Sequence, residues 1–197
     1  MILTVASFKG GVGKTTTAVH LATYLSQFAA TLLVDGDPNR SASGWAKRGD
    51  LPFLVIDERL MAKHAGKYPH IVIDTQARPD NDDLQVLSEG CDLLIIPTTP
   101  DILSLEAVGL TVEAISKLKL ANFQILLTIC PPSPSRDAKD ARTMITDHQI
   151  PIFKSEIRRF VAFQKAALAG VPVWAIKEPN AKEAWEDYEK VGKEILL

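Results

Sequence analysis

Phe8-Lys9-Gly10-Gly11-Val12-Gly13-Lys14-Thr15-Thr16 joins a β-branched, apolar run of strand length, Ile2 to Ser7, to a segment, Thr15 to Gln27, that carries apolar residues at helical spacing through Ala18, Val19, Leu21, Ala22 and Leu25. The three glycines therefore fall in a strand-to-helix turn. Without Cβ atoms they let the backbone bend sharply and turn successive N–H groups inward, where they and the positive end of the next helix can hold a phosphate. In such a loop Lys14 is expected to reach the β- and γ-phosphates of a nucleotide and the Thr15 hydroxyl to bind Mg²⁺. The usual GxxxxGK[ST] spacing is not literally met, because Phe8 occupies the first glycine position.

Two later segments bear on the same reading. Thr31 to Asp37, TLLVDGD, is an apolar strand that runs into two aspartates and Pro38, and His70 to Asp74, HIVID, is another that ends on an aspartate. In a parallel sheet with helices on both sides, strand C-termini line the crevice where ligands bind, so Asp35, Asp37 and Asp74 are expected to face the phosphate loop. A lone aspartate after a strand is commonly a turn or cap residue; three converging on one loop suggest a metal and phosphate site. Thr15, Asp35 and Asp74 are the candidate metal ligands, Asp74 acting through water because Mg²⁺ keeps several of its own.

At 197 residues, 46% of them hydrophobic, the chain can bury a large core. Short apolar runs alternate with longer amphipathic ones, which predicts an α/β fold: a mostly parallel twisted sheet with helices on both faces, as one domain over 1–197. Strands are predicted near 2–8, 31–35, 53–57, 70–74, 92–96, 123–129 and 150–153, and helices near 14–28, 58–65, 80–89, 102–119, 136–148, 157–169 and 180–196.

The chain resembles the deviant Walker ATPases, which include the ParA-type partition proteins and MinD. Their mark is a second lysine early in the phosphate loop, and Lys9 stands there; Asp35-Gly36-Asp37-Pro38 matches their D-x-D-P, Ile71 to Thr75 their Walker B strand, and Leu93 to Leu105 their apolar strand ending in Pro and a polar loop. The resemblance implies a P-loop NTPase that binds ATP and Mg²⁺, with Lys9, Gly10, Gly11, Val12, Gly13, Lys14, Thr15 and Thr16 around the phosphates. It implies that two subunits sandwich two ATP molecules and that Lys9 crosses to the partner's phosphates, where a cation offsets concentrated negative charge. It also implies that Asp37 helps position the attacking water, so that losing it traps the dimer. Lys9, Lys14 and Asp37 are thus the catalytic candidates. Phosphoryl transfer to water draws mainly on positioning and charge neutralisation, and no strong general base is placed beside the loop, so slow intrinsic hydrolysis stimulated by a partner is expected. The chain departs from the partition pattern at Gln76-Ala77-Arg78-Pro79, where relatives have prolines, and at Asn39, where they have glutamine; Arg78 is expected to tune contacts of the second switch.

The loop Pro131-Pro132-Ser133-Pro134 reads either as a stiff turn or, by the resemblance, as a wall against the adenine through Pro131. Cys91 and Cys130 lack CxxC spacing and are expected in the core, and His20, His64, His70 and His148 are too scattered to suggest a metal site. A net charge of −2 excludes a uniformly basic protein. From Lys154 to Lys165, however, four basic residues (Lys154, Arg158, Arg159, Lys165) face one acid, Glu156. That stretch is either a solvated helix face over Phe160 and Phe163 or, as the resemblance implies, a surface for non-specific, salt-dependent DNA binding. In 181–197, Trp185, Tyr188, Val191 and Ile195 form an amphipathic stripe whose polar residues include five acids and three lysines, a balance that favours docking on the domain over an anionic membrane.

The reading that best unites these features is a cytoplasmic, nucleoid-associated positioning ATPase. It homodimerises on ATP, binds non-specific DNA and moves a plasmid, chromosome or protein organelle through a ParB-like adaptor, with no membrane partner. The alternatives are a MinD-like ATPase acting on a membrane surface and, with less room in a chain of this length, a metabolic enzyme on the same core.

Overall fold

The structure, a computed structural model, describes residues 1–7, 9–64, 66–77, 86, 89–117 and 122–197, with only the backbone at 107, 110, 111 and 113–117. Its strands are Ile2–Ser7 (β1), Thr31–Asp35 (β2), Leu54–Asp57 (β3), His70–Ala77 (β4), Leu93–Thr98 (β5) and Phe123–Leu127 (β6). They form one parallel sheet in the order β3-β2-β4-β1-β5-β6. The helices are Lys14–Leu25 (α1), Ser41–Arg48 (α2), Met61–His64 (α3, entered through the 3₁₀ turn Glu58–Leu60), Ile102–Lys117 (α4), Asp137–Asp147 (α5), Val161–Ala169 (α6) and Ala181–Ile195 (α7).

The strands are apolar on both faces because both faces are covered, and their period of two divides them between two layers. Leu3, Val5, Leu33, Val72, Ile95 and Leu126 point into one core with residues of α1, α6 and α7; Leu94, Ile96, Ile125 and Leu127 point into another with Val108 of α4 and Ala141 and Ile145 of α5. A smaller cluster of Leu32, Val34, Ile56 and Ile71 closes the β3 side. The α/β architecture expected from the alternation of runs is therefore the one observed. Trp185, Tyr188 and Val191 of α7 are buried in the first core with Ile195 packed against them, so the apolar stripe of this helix faces the domain.

Prediction and structure differ in three places. Helix α2 has no counterpart among the predicted helices. Residues 150–153 make a single bridge, Ile125 to Ile152, instead of a strand. The helix predicted from 157 begins at Val161, because residues 157–159 are drawn out along the end of β6: Ile157 N–H donates to Leu127 O (2.9 Å) and Arg159 N–H to Cys130 O (2.8 Å). Most of the predicted 80–89 helix, as well as Phe8 and Arg78, lies outside the described residues. No disulfide joins Cys91 and Cys130; burial pushes the Cys130 thiol up to about 12. No described helix is long and apolar enough to cross a membrane.

Candidate active site at the C-terminal edge of the sheet

The chain leaves β1 at its C-terminal end and turns through the glycine loop into α1. Gly11 (φ +79°) and Gly13 (φ +85°) adopt left-handed backbone, and a Cβ built on Gly10, Gly11 or Gly13 meets nothing within 4 Å, so the loop borders open space. No side chain caps α1 and no acid stands in its first turn, which leaves its N-terminal N–H groups available to an anion. The loop itself is pinned from beneath: Ser7 Oγ donates to Lys9 O (2.6 Å) and Thr128 Oγ1 to Val12 O (2.8 Å).

Register places the acids. Asp35 lies opposite both Asp74 and Asp57 on neighbouring strands, so the three carboxylates form a row along the sheet edge. Thr15 Oγ1 donates to Asp74 Oδ2 (2.7 Å), and Lys14, buried, adds its positive charge nearby. Burial pushes the Asp74 carboxyl up to about 7 against the opposing pull of the Thr15 bond, and its Oδ1 is buried without a hydrogen-bond partner. An orphaned carboxylate oxygen beside a threonine hydroxyl suits a hydrated divalent cation. Asp35 serves the backbone instead. Its Oδ1 accepts from Asp37 N–H (3.2 Å) and its Oδ2 from Ser43 N–H (2.8 Å), so it anchors the following loop. Asp37 is buried, and its Oδ1 accepts from Asn39 N–H (2.8 Å) and Asn39 Nδ2 (3.0 Å). Among the described residues no three His, Cys, Asp or Glu side chains form a metal cage, so a cation here depends on Thr15, Asp74, water and phosphate oxygens.

Lys9 stands on the outer lip of the loop. Its Nζ donates to Asp101 Oδ1 (3.0 Å) and Ser104 Oγ (2.8 Å), at the start of α4. Burial raises the Asp101 carboxyl, but bonds from Thr99, Ser104 and Lys9 together hold it well below the usual range.

An apolar recess of about 420 Å³ opens from Gly13 and Thr16 and is walled by Thr128, Ile129, Phe160 and Phe163, with Arg158 and Arg159 at its edge. A base carried by phosphates seated on the loop would enter here. Ile129 (φ +53°) holds a left-handed backbone that is costly for a β-branched residue, as strained positions at ligand sites often are. Pro131 lines a separate cleft with Thr99, Asp101 and Arg159, on the Lys9 side.

The basic stretch is not one surface. Arg158 forks onto buried Asp187 (Nη2 to Oδ1 2.8 Å, Nε to Oδ2 2.9 Å) and lies over the Phe160 ring, and Lys165 pairs with Glu178. Lys154 and Arg159 are exposed. Thr128, Asp101, Ser104 and Asp187 are partners of the site that sequence reasoning did not name; each contacts it from a distant part of the chain. Only Asp101 and Ser104 lie in a segment that the sequence marks, the polar loop after Pro97.

Residues 3–173 match the model of the CobQ/CobB/MinD/ParA nucleotide binding domain. The chain is 36% identical to the maintenance of carboxysome distribution protein A of Gloeobacter kilaueensis over 98% of its own length and 93% of that protein, and 26% identical to protein ParA of Rhizobium radiobacter over 99% and 96%. Its fold superposes on apo McdA of Cyanothece with a TM-score of 0.78 at 19% identity, covering 100% of this chain and 99% of that one.

Proposed function

The chain belongs to the CobQ/CobB/MinD/ParA nucleotide-binding family and is an ATPase, and on that premise we propose that it positions a large cargo by cycling between an ATP-bound dimer and a monomer. The observation that supports the proposal is Lys9: a second loop lysine whose ammonium sits in a partly exposed contact with Asp101 and Ser104, and which in this reading leaves that contact for another subunit's nucleotide. A full-length relative named for carboxysome distribution favours a protein-bounded compartment as cargo over a plasmid.

In this reading, Lys14 and the N–H groups of the loop and of the first turn of α1 bind the phosphates, and Thr15 and Asp74 hold Mg²⁺, which supplies charge neutralisation at the transferring phosphoryl group. Asp37 orients the attacking water, and Lys9 from the second subunit offsets the charge that develops. Asn39 takes only Oδ1 of Asp37, so the second carboxylate oxygen can orient water with that bond in place. Non-specific DNA would be held by Lys154 and Arg159, with Arg158 and Lys165 contributing less because acids already pair them, and an adaptor of ParB-like role would accelerate hydrolysis. The MinD-like alternative loses ground, because the apolar face of α7 is buried.

The test is mass by light scattering with Mg²⁺ and a non-hydrolysable ATP analogue. Wild type is expected to double its mass, and Lys9→Ala to bind the analogue yet stay monomeric. A wild-type protein that remains monomeric at saturation overturns the proposal.

A further inference from the structure

The Asp35–Asn39 loop carries the proposed hydrolytic aspartate, and it ends on a residue in an unusual state. Arg40 has φ +52° and ψ +43°, left-handed backbone that glycine or asparagine would adopt more readily. The guanidinium donates through Nη1 to Asp35 O (2.6 Å), and Nη2 pairs with Asp57 Oδ2 (3.1 Å) and lies 3.8 Å from Glu58 Oε1. Because Asp35 and Asp57 are register partners on adjacent strands, this staples the carbonyl at the end of β2 to the end of β3. The backbone of the same residue donates its N–H to Asp37 O (2.8 Å) and accepts from Gly44 N–H (2.8 Å), fixing the turn into α2.

We propose that Arg40 is a positioning residue for ATP hydrolysis, its left-handed backbone and its guanidinium together setting the orientation of the loop that presents Asp37. The inference rests on the reading of Asp37 given above. Arg40 touches neither Asp37's carboxylate nor the phosphate loop; it acts through the carbonyls of Asp35 and Asp37, one on each side of Gly36. Gly36 has no slack of its own, since a Cβ there would lie 3.1 Å from both Asp74 O and Glu58 Oε2, and its N–H donates to Asp74 O (2.8 Å). Loosening Arg40 therefore removes one of the loop's charged restraints and leaves those of the Asp35 and Asp37 carboxylates on backbone N–H groups in place.

Arg40→Gly separates the two contributions, because glycine accepts the backbone and removes the staple. Its kcat is expected to fall by about tenfold with the KM for ATP within about threefold, the loss that misplacement of a positioning group produces. Amide hydrogen exchange at Gly36, Asp37, Asn39 and Arg40 is expected to quicken without nucleotide present, while the thermal midpoint does not fall. Arg40→Lys, which keeps the charge and loses the fork, is expected to recover part of the rate, and Asp57→Asn to move rate and exchange in the direction of Arg40→Gly. Wild-type turnover by Arg40→Gly overturns the inference. So does a loss of rate that runs in parallel with lost analogue binding and a lowered midpoint, since that is a folding defect. Asp37→Ala, measured alongside, tells the two readings apart: if it alone stops turnover, only the role of Arg40 fails, and if it turns over normally, the role of Asp37 fails and that of Arg40 with it.

Discussion

His20 makes the stability of this fold sensitive to acid in a way that can be isolated. It is wholly buried on α1, with Nδ1 2.7 Å from Thr16 O and Nε2 accepting from Val173 N–H (3.1 Å), an arrangement that requires the neutral ring. The rings of Trp45, Phe163, Trp185 and Tyr188 surround it. Burial lowers its pKa from 6.5 to about 4, against a smaller raising effect of the Thr16 bond. The folded pKa is below the unfolded one, so the unfolded chain binds more protons between them; the stabilisation is complete above about pH 6.5 and drains away as pH falls toward 4. A shift of that size is worth about 3 kcal/mol in full, and about 2 kcal/mol of it is lost at pH 5. Asp74 works in the opposite sense. Its carboxyl is raised to about 7, so the native state holds the extra proton and becomes more stable as pH falls through the same range. The two slopes oppose each other in the wild type. Urea unfolding between pH 5 and 8 in Asp74→Asn, compared with His20→Leu/Asp74→Asn, is expected to differ in its pH dependence by about 2 kcal/mol across that range. Parallel curves for the two proteins would refute the claim that His20 is held neutral.

Three further outcomes are expected. Lys14→Ala should abolish ATP binding in calorimetry; undiminished affinity would remove the loop from its assigned role. Gly170→Ala should cost about 2–5 kcal/mol in chemical unfolding, because its φ of +74° disfavours a side chain and the new methyl would collide with Gly49 N and Arg48 C, where α2 meets the end of α6. Lys154→Glu with Arg159→Glu should eliminate DNA retardation in gels with ATP, and Lys154→Glu alone, away from the nucleotide recess, should weaken it with turnover measured without DNA near the wild-type value; retardation that persists in both would move any DNA surface elsewhere on the protein.

The elements that could be read from sequence are those whose cause is local. β1, the glycine loop and α1 carry their own signals, and β2 and β4 are apolar runs whose terminal aspartates fall at the site because parallel register aligns strand ends. Helix α2 has no such signal. It contains Gly44 in its middle and buries only Ala42 and Trp45, so neither propensity nor periodicity marks it. What holds it is distant: Trp45 Nε1 donates to Val171 O (3.2 Å) and Arg48 Nε to Ala167 O (2.8 Å). The charge of the basic stretch was legible only in part, for the same reason. Counting acids within Lys154 to Lys165 finds Glu156 alone, whereas the fold brings Asp187, Glu178 and Glu194 to it, the last accepting from the N–H groups of Lys154 and Ser155. Charge in a window of sequence is not charge on a surface.

Lys9 shows where reading by position stops and geometry takes over. Its place in the loop singles it out, but its partners Asp101 and Ser104 lie on the far side of β5 in sequence and could not be inferred. Their chemistry bears on the proposed cycle. The Lys9–Asp101 pair is about one-third to one-half exposed on each side, and exposed pairs of this kind contribute about 0–1 kcal/mol. A triphosphate in a second subunit, with several negative charges in a setting that water leaves as two faces meet, offers the same ammonium far more. In the proposed cycle the exchange would therefore meet little resistance at the start, be strongly favoured once the faces meet, and reverse when the γ-phosphate leaves. Asp101→Asn should accordingly raise the fraction of dimer at limiting analogue without changing the affinity of the monomer for nucleotide, and a dimer fraction unchanged or reduced in light scattering would show that the resting contact does not compete with association.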